Sequence, residues 1–115
     1  PIVRDHMGRL EPERGVADPS FQLILGLLRE GRLWVKLNPS RNSKQLPDYP
    51  DMRPFHDAYL AANPDRLVWG SDWPHSNLSP APETADLLRL FGEWTSDAAS
   101  RTKILVANPA RLYGF

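Results

Sequence analysis

Three short runs in this chain set acids, bases and cations directly after apolar stretches. Asp5-His6 closes PIVRDH, Asn38 and Arg41 follow LWVKL, and Asp72 and His75 follow RLVWGS. A carboxylate at the end of an apolar run sits at a partly dry rim. There it deprotonates a water, binds a metal or caps the next turn, and Asp72 has that position. His6 can serve as a base, a metal ligand, an electrophile that polarises a carbonyl, or a satisfied core histidine. Arg41 lies in a long polar loop, where a guanidinium either forks onto a carboxylate or is simply solvated. Arg9 and Lys44 are weaker versions of the same reading. His75, after Pro74, reads as a residue that fixes its loop or supports the site from behind. His56 falls inside a helical pattern beside Phe55 and reads as structural or surface. Of the four tryptophans, only Trp73, beside Asp72, is placed to line a pocket. The chain carries no glycine-rich phosphate loop, nucleophile elbow or clustered His/Cys metal motif.

The elements that must position these groups follow from periodicity. Pro1 to Asp5 reads as a strand. Asp18-Pro19 is a helix start, an acceptor followed by a proline at the first helical position. Phe21, Ile24, Leu25 and Leu28 then recur at helical spacing, and Gly31 stops the run. Leu33 to Leu37 is a second strand. A second helix spans about Met52 to Ala62 and ends at Asn63-Pro64. Arg66 to Ser71 is a third strand. Helices follow over about Glu83 to Trp94 and, with Ser96 as cap, about Asp97 to Ala107, before NPARLYGF closes the chain. Strands near positions 1, 33 and 67 alternating with amphipathic helices imply an α/β fold with a parallel sheet and right-handed crossovers. In such folds functional groups gather at the C-terminal ends of the strands. That rule directs Asp72, His6 and Arg41 to one face.

Composition narrows the partners. Lys plus Arg and Asp plus Glu both number 14, so charge gives no reason to expect nucleic acid or an anionic membrane. No cysteine is present, which removes disulfides, thiolate zinc sites and a Cys nucleophile and fits a cytoplasmic protein. The apolar runs fall far short of the roughly 20 residues of a membrane helix. Twelve prolines in 115 residues is high, and they collect at element junctions.

The runs DHMGR (5–9), LWVKLN (33–38), PDRLVWGSDWPH (64–75) and NPARLYGF (108–115) together resemble the amidohydrolase-related family, in particular its branch that opens 2-pyrone-4,6-dicarboxylate. The resemblance extends over nearly the whole chain. It implies the C-terminal part of a (β/α)8 barrel: the last three strand–helix units plus a terminal helix, a single partial barrel domain over 1–115. It implies Asp72 as general base on the hydrolytic water and His6 as a histidine near the lactone carbonyl. It further implies Arg41 as holder of a substrate carboxylate, with Arg9 and His75 as further substrate-binding candidates. In this branch no metal is required. Related branches use a divalent ion, zinc or manganese, for which His6 and Asp72 would supply two ligands. Family members carry an HxH pair on the first strand, whereas His6, His56 and His75 form none. The expected partner is a small lactone or carboxylate. Eight strands close a barrel and three do not, so open sheet edges are expected to favour self-association. An isolated 115-residue chain is accordingly expected to be inactive or very weakly active, and full lactone turnover by a verified monomer of this length would overturn that expectation.

Overall fold

Val35 lies in the middle strand of a three-stranded parallel sheet and pairs on both sides, with Arg4 and with Leu67. The computed structural model describes residues 1–75, 78 and 81–114; Ser76, Asn77, Ser79, Pro80 and Phe115 lie outside the described residues. The strands are β1 (Val3–Arg4), β2 (Trp34–Leu37) and β3 (Leu67–Trp69), in the order β1-β2-β3. They are linked through α1 (Pro19–Arg29) and α2 (Arg53–Ala62), and α3 (Thr84–Trp94), α4 (Ala98–Thr102) and α5 (Asn108–Tyr113) follow β3. The α/β order with a parallel sheet is thus as the sequence implies.

Side chains alternate across a strand, so the register sorts them onto two faces. Val35, Leu37 and Leu67 join the core with Phe21, Leu25 and Leu28 of α1, Phe55 and Tyr59 of α2, and Leu87, Leu90 and Phe91 of α3. Phe21 meets Phe55 and Tyr59 edge-on, at 5.0 and 5.2 Å between ring centroids. Such pairs add about 1 kcal/mol each beyond their buried area. The opposite face carries Trp34, Lys36 and Val68, and Arg66 and Arg111 stack over the Trp34 ring at 4.9 and 5.7 Å.

The helix ends follow their sequence signals. The Asp18 carboxylate accepts from the Phe21 N–H at 3.2 Å, with Pro19 in the first turn. Gly31 takes φ +71 just past the end of α1. Three boundaries differ from expectation. The strands are shorter, because pairing needs a neighbour: β1 and β3 each pair only with β2 among the described residues. The cap of α4 is Asp97, whose carboxylate accepts from Ser100 N–H at 3.1 Å, and not Ser96. The segment from Asn108 is helical, where the sequence has it as a tail after Ala107. A wide π turn over Lys103–Ala107 precedes Pro109, so the proline joins without the carbonyl clash of a regular helix. Asn108 then donates to the carbonyls of Pro64 and Leu67 at 2.8 and 2.7 Å, pinning the start of β3.

Tyr59 is fully buried and its hydroxyl donates to the Met7 carbonyl at 2.7 Å, tying the turn after β1 to α2. Gly8 makes room for this approach, since a Cβ there would meet Ile24 Cδ1 at 2.9 Å and the Tyr59 hydroxyl at 3.2 Å. Tyr59→Phe leaves the carbonyl unsatisfied and is expected to lower stability by about 1–2 kcal/mol. A urea midpoint equal to wild type would show that the turn is held by other means.

His56 is also buried, with Nε2 2.9 Å from Thr95 Oγ1 and its ring edge-on to Phe91 and Trp94. Burial, with a smaller contribution from Arg53, pushes its pKa down to about 4. The folded chain therefore binds fewer protons than the unfolded one between about 4 and the ordinary 6.5. Stability is full above that window and falls as pH drops through it, by roughly 3 kcal/mol in all. His56→Gln is expected to flatten the loss between pH 7 and 4.5; an equally steep loss in that variant would place its origin elsewhere.

Candidate active site

The C-terminal ends of the three strands turn sharply, and the turns are stitched to one another. After β1 the chain enters a turn over His6–Gly8; after β2 it runs through Asn38 to Asn42; after β3 it reaches Asp72. Asn38 is buried, its Nδ2 donating to the Gly70 carbonyl at 2.9 Å and its Oδ1 accepting from Ser40 N–H and Oγ–H at 3.0 and 2.7 Å. It therefore joins the ends of β2 and β3. Asn42 Nδ2 donates to the His6 carbonyl and joins the second turn to the first.

Three sequence-derived candidates meet here. Arg41 Nε donates to Asp72 Oδ2 at 2.5 Å, and His6 Nδ1 stands 3.9 Å from Asp72 Oδ1. The second distance exceeds a hydrogen bond, yet an oxygen about 2.8 Å from both atoms, off their line, would touch both. The side chains of His6, Asp72 and Arg41 are 17%, 21% and 23% exposed, so they are partly buried yet within reach of a small molecule. Each oxygen of Asp72 thus faces a different partner, and its carboxylate is not spent on capping its own turn.

His6, Asp72 and His75 adopt φ of +52, +63 and +61, and Met7 and Arg9 are also left-handed. For residues other than glycine this region costs on the order of 1 kcal/mol or more each. Of these residues His6 and Asp72 line a depression of about 300 Å³, together with Asp5, Lys36, Asn38 and Trp73 among others. Trp73 is 76% exposed at its edge, in keeping with the pocket-lining position its sequence neighbours suggest.

Arg9 and His75 are placed otherwise. Arg9 is exposed and borders clefts formed with Gly8, Glu11 and Asp18 and along β1, not the depression holding Asp72. His75 is buried, its N–H closing the turn on the Asp72 carbonyl at 2.7 Å and its Nε2 3.5 Å from Thr84 Oγ1. Its Nδ1 is buried without a partner among the described residues.

Lys36 is the residue that sequence reasoning missed. Its ammonium pairs with Asp5 Oδ1 at 3.0 Å within the depression. The signal was present: a single charge in the otherwise apolar LWVKL.

The described residues contain no group of three or more His, Cys, Asp or Glu side chains able to hold a metal. His6 and Asp72 offer two donors, and the Arg41 guanidinium already lies on one Asp72 oxygen. A catalytic zinc takes about three protein ligands, so this chain's own donors do not make a complete metal site.

The family model described as Amidohydrolase matches residues 1–115. A 4-sulfomuconolactone hydrolase of Rhizobium radiobacter is 43% identical over 99% of this chain and 40% of its own length. A 2-pyrone-4,6-dicarboxylate hydrolase of Comamonas testosteroni is 37% identical over 97% of this chain and 40% of its own length. The chain therefore spans about two fifths of the curated relatives it matches. Among solved structures, an apo protein of Agrobacterium tumefaciens superposes with a TM-score of 0.86 at 32% identity, covering 98% of this chain and 41% of its own. A probable 2-pyrone-4,6-dicarboxylic acid hydrolase of Acinetobacter baumannii, with citric acid bound, gives 0.84 at 30% identity, covering 98% and 43%. A zinc-bound amidohydrolase of Burkholderia multivorans gives 0.68 at 27% identity, covering 98% and 43%.

Proposed function

The chain belongs to the amidohydrolase family, and from that premise we propose that it carries the base of a lactone hydrolase. The observation that carries the reading is the Asp72 carboxylate, held on one oxygen by Arg41 and faced across 3.9 Å by His6 at the C-terminal end of a parallel sheet. We place the chain at the last three units of a (β/α)8 barrel, as a single partial domain. Three of eight units is close to the two fifths of each relative that the chain covers, which supports a partial barrel, while the placement at its last units rests on the resemblance of the chain's motifs alone.

In the proposed reaction a water sits between Asp72 and His6. Asp72 takes its proton as the oxygen attacks the lactone carbonyl, and His6 polarises that carbonyl. The C–O bond to the ring oxygen then breaks, and the proton returns from Asp72 to the leaving alkoxide. Arg41 orients Asp72 and adds positive charge for an acid substituent of the substrate. Arg9 is proposed to meet substrate at the rim by the open edge of β1, and His75 to act through the loop that it fixes beneath Asp72. The relatives' names, sulfomuconolactone and pyrone dicarboxylate, point to a small lactone bearing acid groups. Neither a nucleic acid nor a membrane enters this reading, and a cytoplasmic setting suits it. No helix among the described residues is long and apolar enough to cross a membrane. The unpaired sides of β1 and β3 are proposed to meet neighbouring strands, in the rest of a barrel or in a second copy.

The zinc-bound neighbour gives the metal-dependent reading its one specific support. In that reading His6 and Asp72 are two of the ligands to zinc or manganese, and further donors come from outside this chain. One experiment separates the two. The full-length protein is assayed on 2-pyrone-4,6-dicarboxylate and 4-sulfomuconolactone, with and without chelator, beside Asp72→Asn. The expected result is chelator-resistant turnover that falls about a hundred- to ten-thousandfold in Asp72→Asn. Turnover abolished by chelator and restored by zinc moves the site to the metal-dependent branch. Wild-type turnover in Asp72→Asn removes Asp72 as the base.

A further inference from the structure

Lys36 stands on the sheet face opposite the packed helices, in the middle strand, where a charge is costly unless it has a use. Its place is built from β2 and the ends of both neighbouring strands. Asp5, just past the end of β1, holds Nζ at 3.0 Å. On the β3 side its stem crosses Gly70, where a Cβ would lie 2.8 Å from Lys36 Cδ and 3.3 Å from Cγ. Gly70 has no left-handed φ that would demand glycine, so space for this lysine is the reason the structure offers for it. The side chain is one third exposed, and its ammonium opens on the depression that holds His6 and Asp72. Of the described side chains lining that depression it is the one lysine or arginine. Arg41, by contrast, has its Nε on the base.

We propose that Lys36 is a substrate-binding residue of this site: its ammonium, anchored by Asp5 and seated over Gly70, holds an acid substituent of the lactone whose carbonyl lies at Asp72 and His6. The proposal rests on the lactone-hydrolase reading for the identity of the substrate. An ammonium is a compact charge with three donors and no planar fork to match. It therefore accepts a carboxylate or a sulfonate alike, which predicts tolerance among acid groups at that position and weak binding of lactones without one.

The test titrates the full-length protein with pyridine-2,4-dicarboxylate, a planar dianion with no ester to open. Lys36→Met keeps the apolar stem and removes the charge, Lys36→Arg keeps a cation, and Gly70→Ala keeps the ammonium while displacing its stem. The Met variant is expected to bind about ten- to a hundredfold more weakly, the size of a lost charge-assisted hydrogen bond. The Arg variant should recover most of that loss, and Gly70→Ala should fall between. With an acid-bearing lactone the Met variant should lose more in KM than in kcat, while an uncharged lactone should distinguish it little from wild type. Unchanged dianion affinity in a folded Met variant overturns the proposal, as does a wild-type protein that binds no dianion. Should the Met variant fail to fold, unchanged affinity in Gly70→Ala overturns it instead. Lys36-dependent dianion binding by a protein that opens no lactone sustains this site and sinks the lactone-hydrolase reading.

Discussion

β2 is hydrogen-bonded on both sides, and its parallel register with β1 and β3 fixes the two faces of the molecule. Val35 and Leu37 go to the helices, while Trp34 and Lys36 go the other way, beside Val68. Burial of the first face against α1, α2 and α3 is non-directional and supplies stability. The second face is then free to carry charge. Because all three strands run the same way, their C-terminal ends lie side by side, and residues more than 30 positions apart in sequence become neighbours. Arg41 and Asp72 meet for that reason, and so do His6 and Asp72.

The turns at those ends are strained, and the strain is held by specific bonds. His6, Asp72 and His75 keep left-handed backbones that an isolated loop would relax. Tyr59 and Asn42 fasten the carbonyls of Met7 and His6, Asn38 fastens Gly70, and the His75 N–H closes on Asp72. Each bond is worth only about 1 kcal/mol net, but leaving its buried partner unsatisfied costs more. The polar network therefore specifies the site more than it stabilises the fold. Tyr59 joins the two levels, since its ring is core and its hydroxyl supports the turn that bears His6.

The chain covers about two fifths of its relatives, and its sheet has an unpaired side at each edge among the described residues. His6 and Asp72 alone do not make a metal site, and any further ligand would have to come from beyond these residues.

The sequence alone determined the element order, the helix starts at Asp18-Pro19 and, to within a residue, near Glu83, and the apolar faces, because those depend on local propensity and periodicity. It also placed Asp72, His6 and Arg41 at strand ends. It misjudged the closing segment, since Pro109 reads as a stop and only the π turn before it lets the helix continue. It read Arg9 as a weaker version of Arg41 and His75 as a residue fixing its loop; the structure puts Arg9 outside the depression, His75 buried beneath the loop and Arg41 on the Asp72 carboxylate. It passed over Lys36, whose position has meaning only with Asp5 and Gly70 on either side. Tertiary structure decided these matters for one reason. Which polar groups share a site depends on strand register and backbone turns, which bring distant residues together, and no local pattern in the chain encodes those distances.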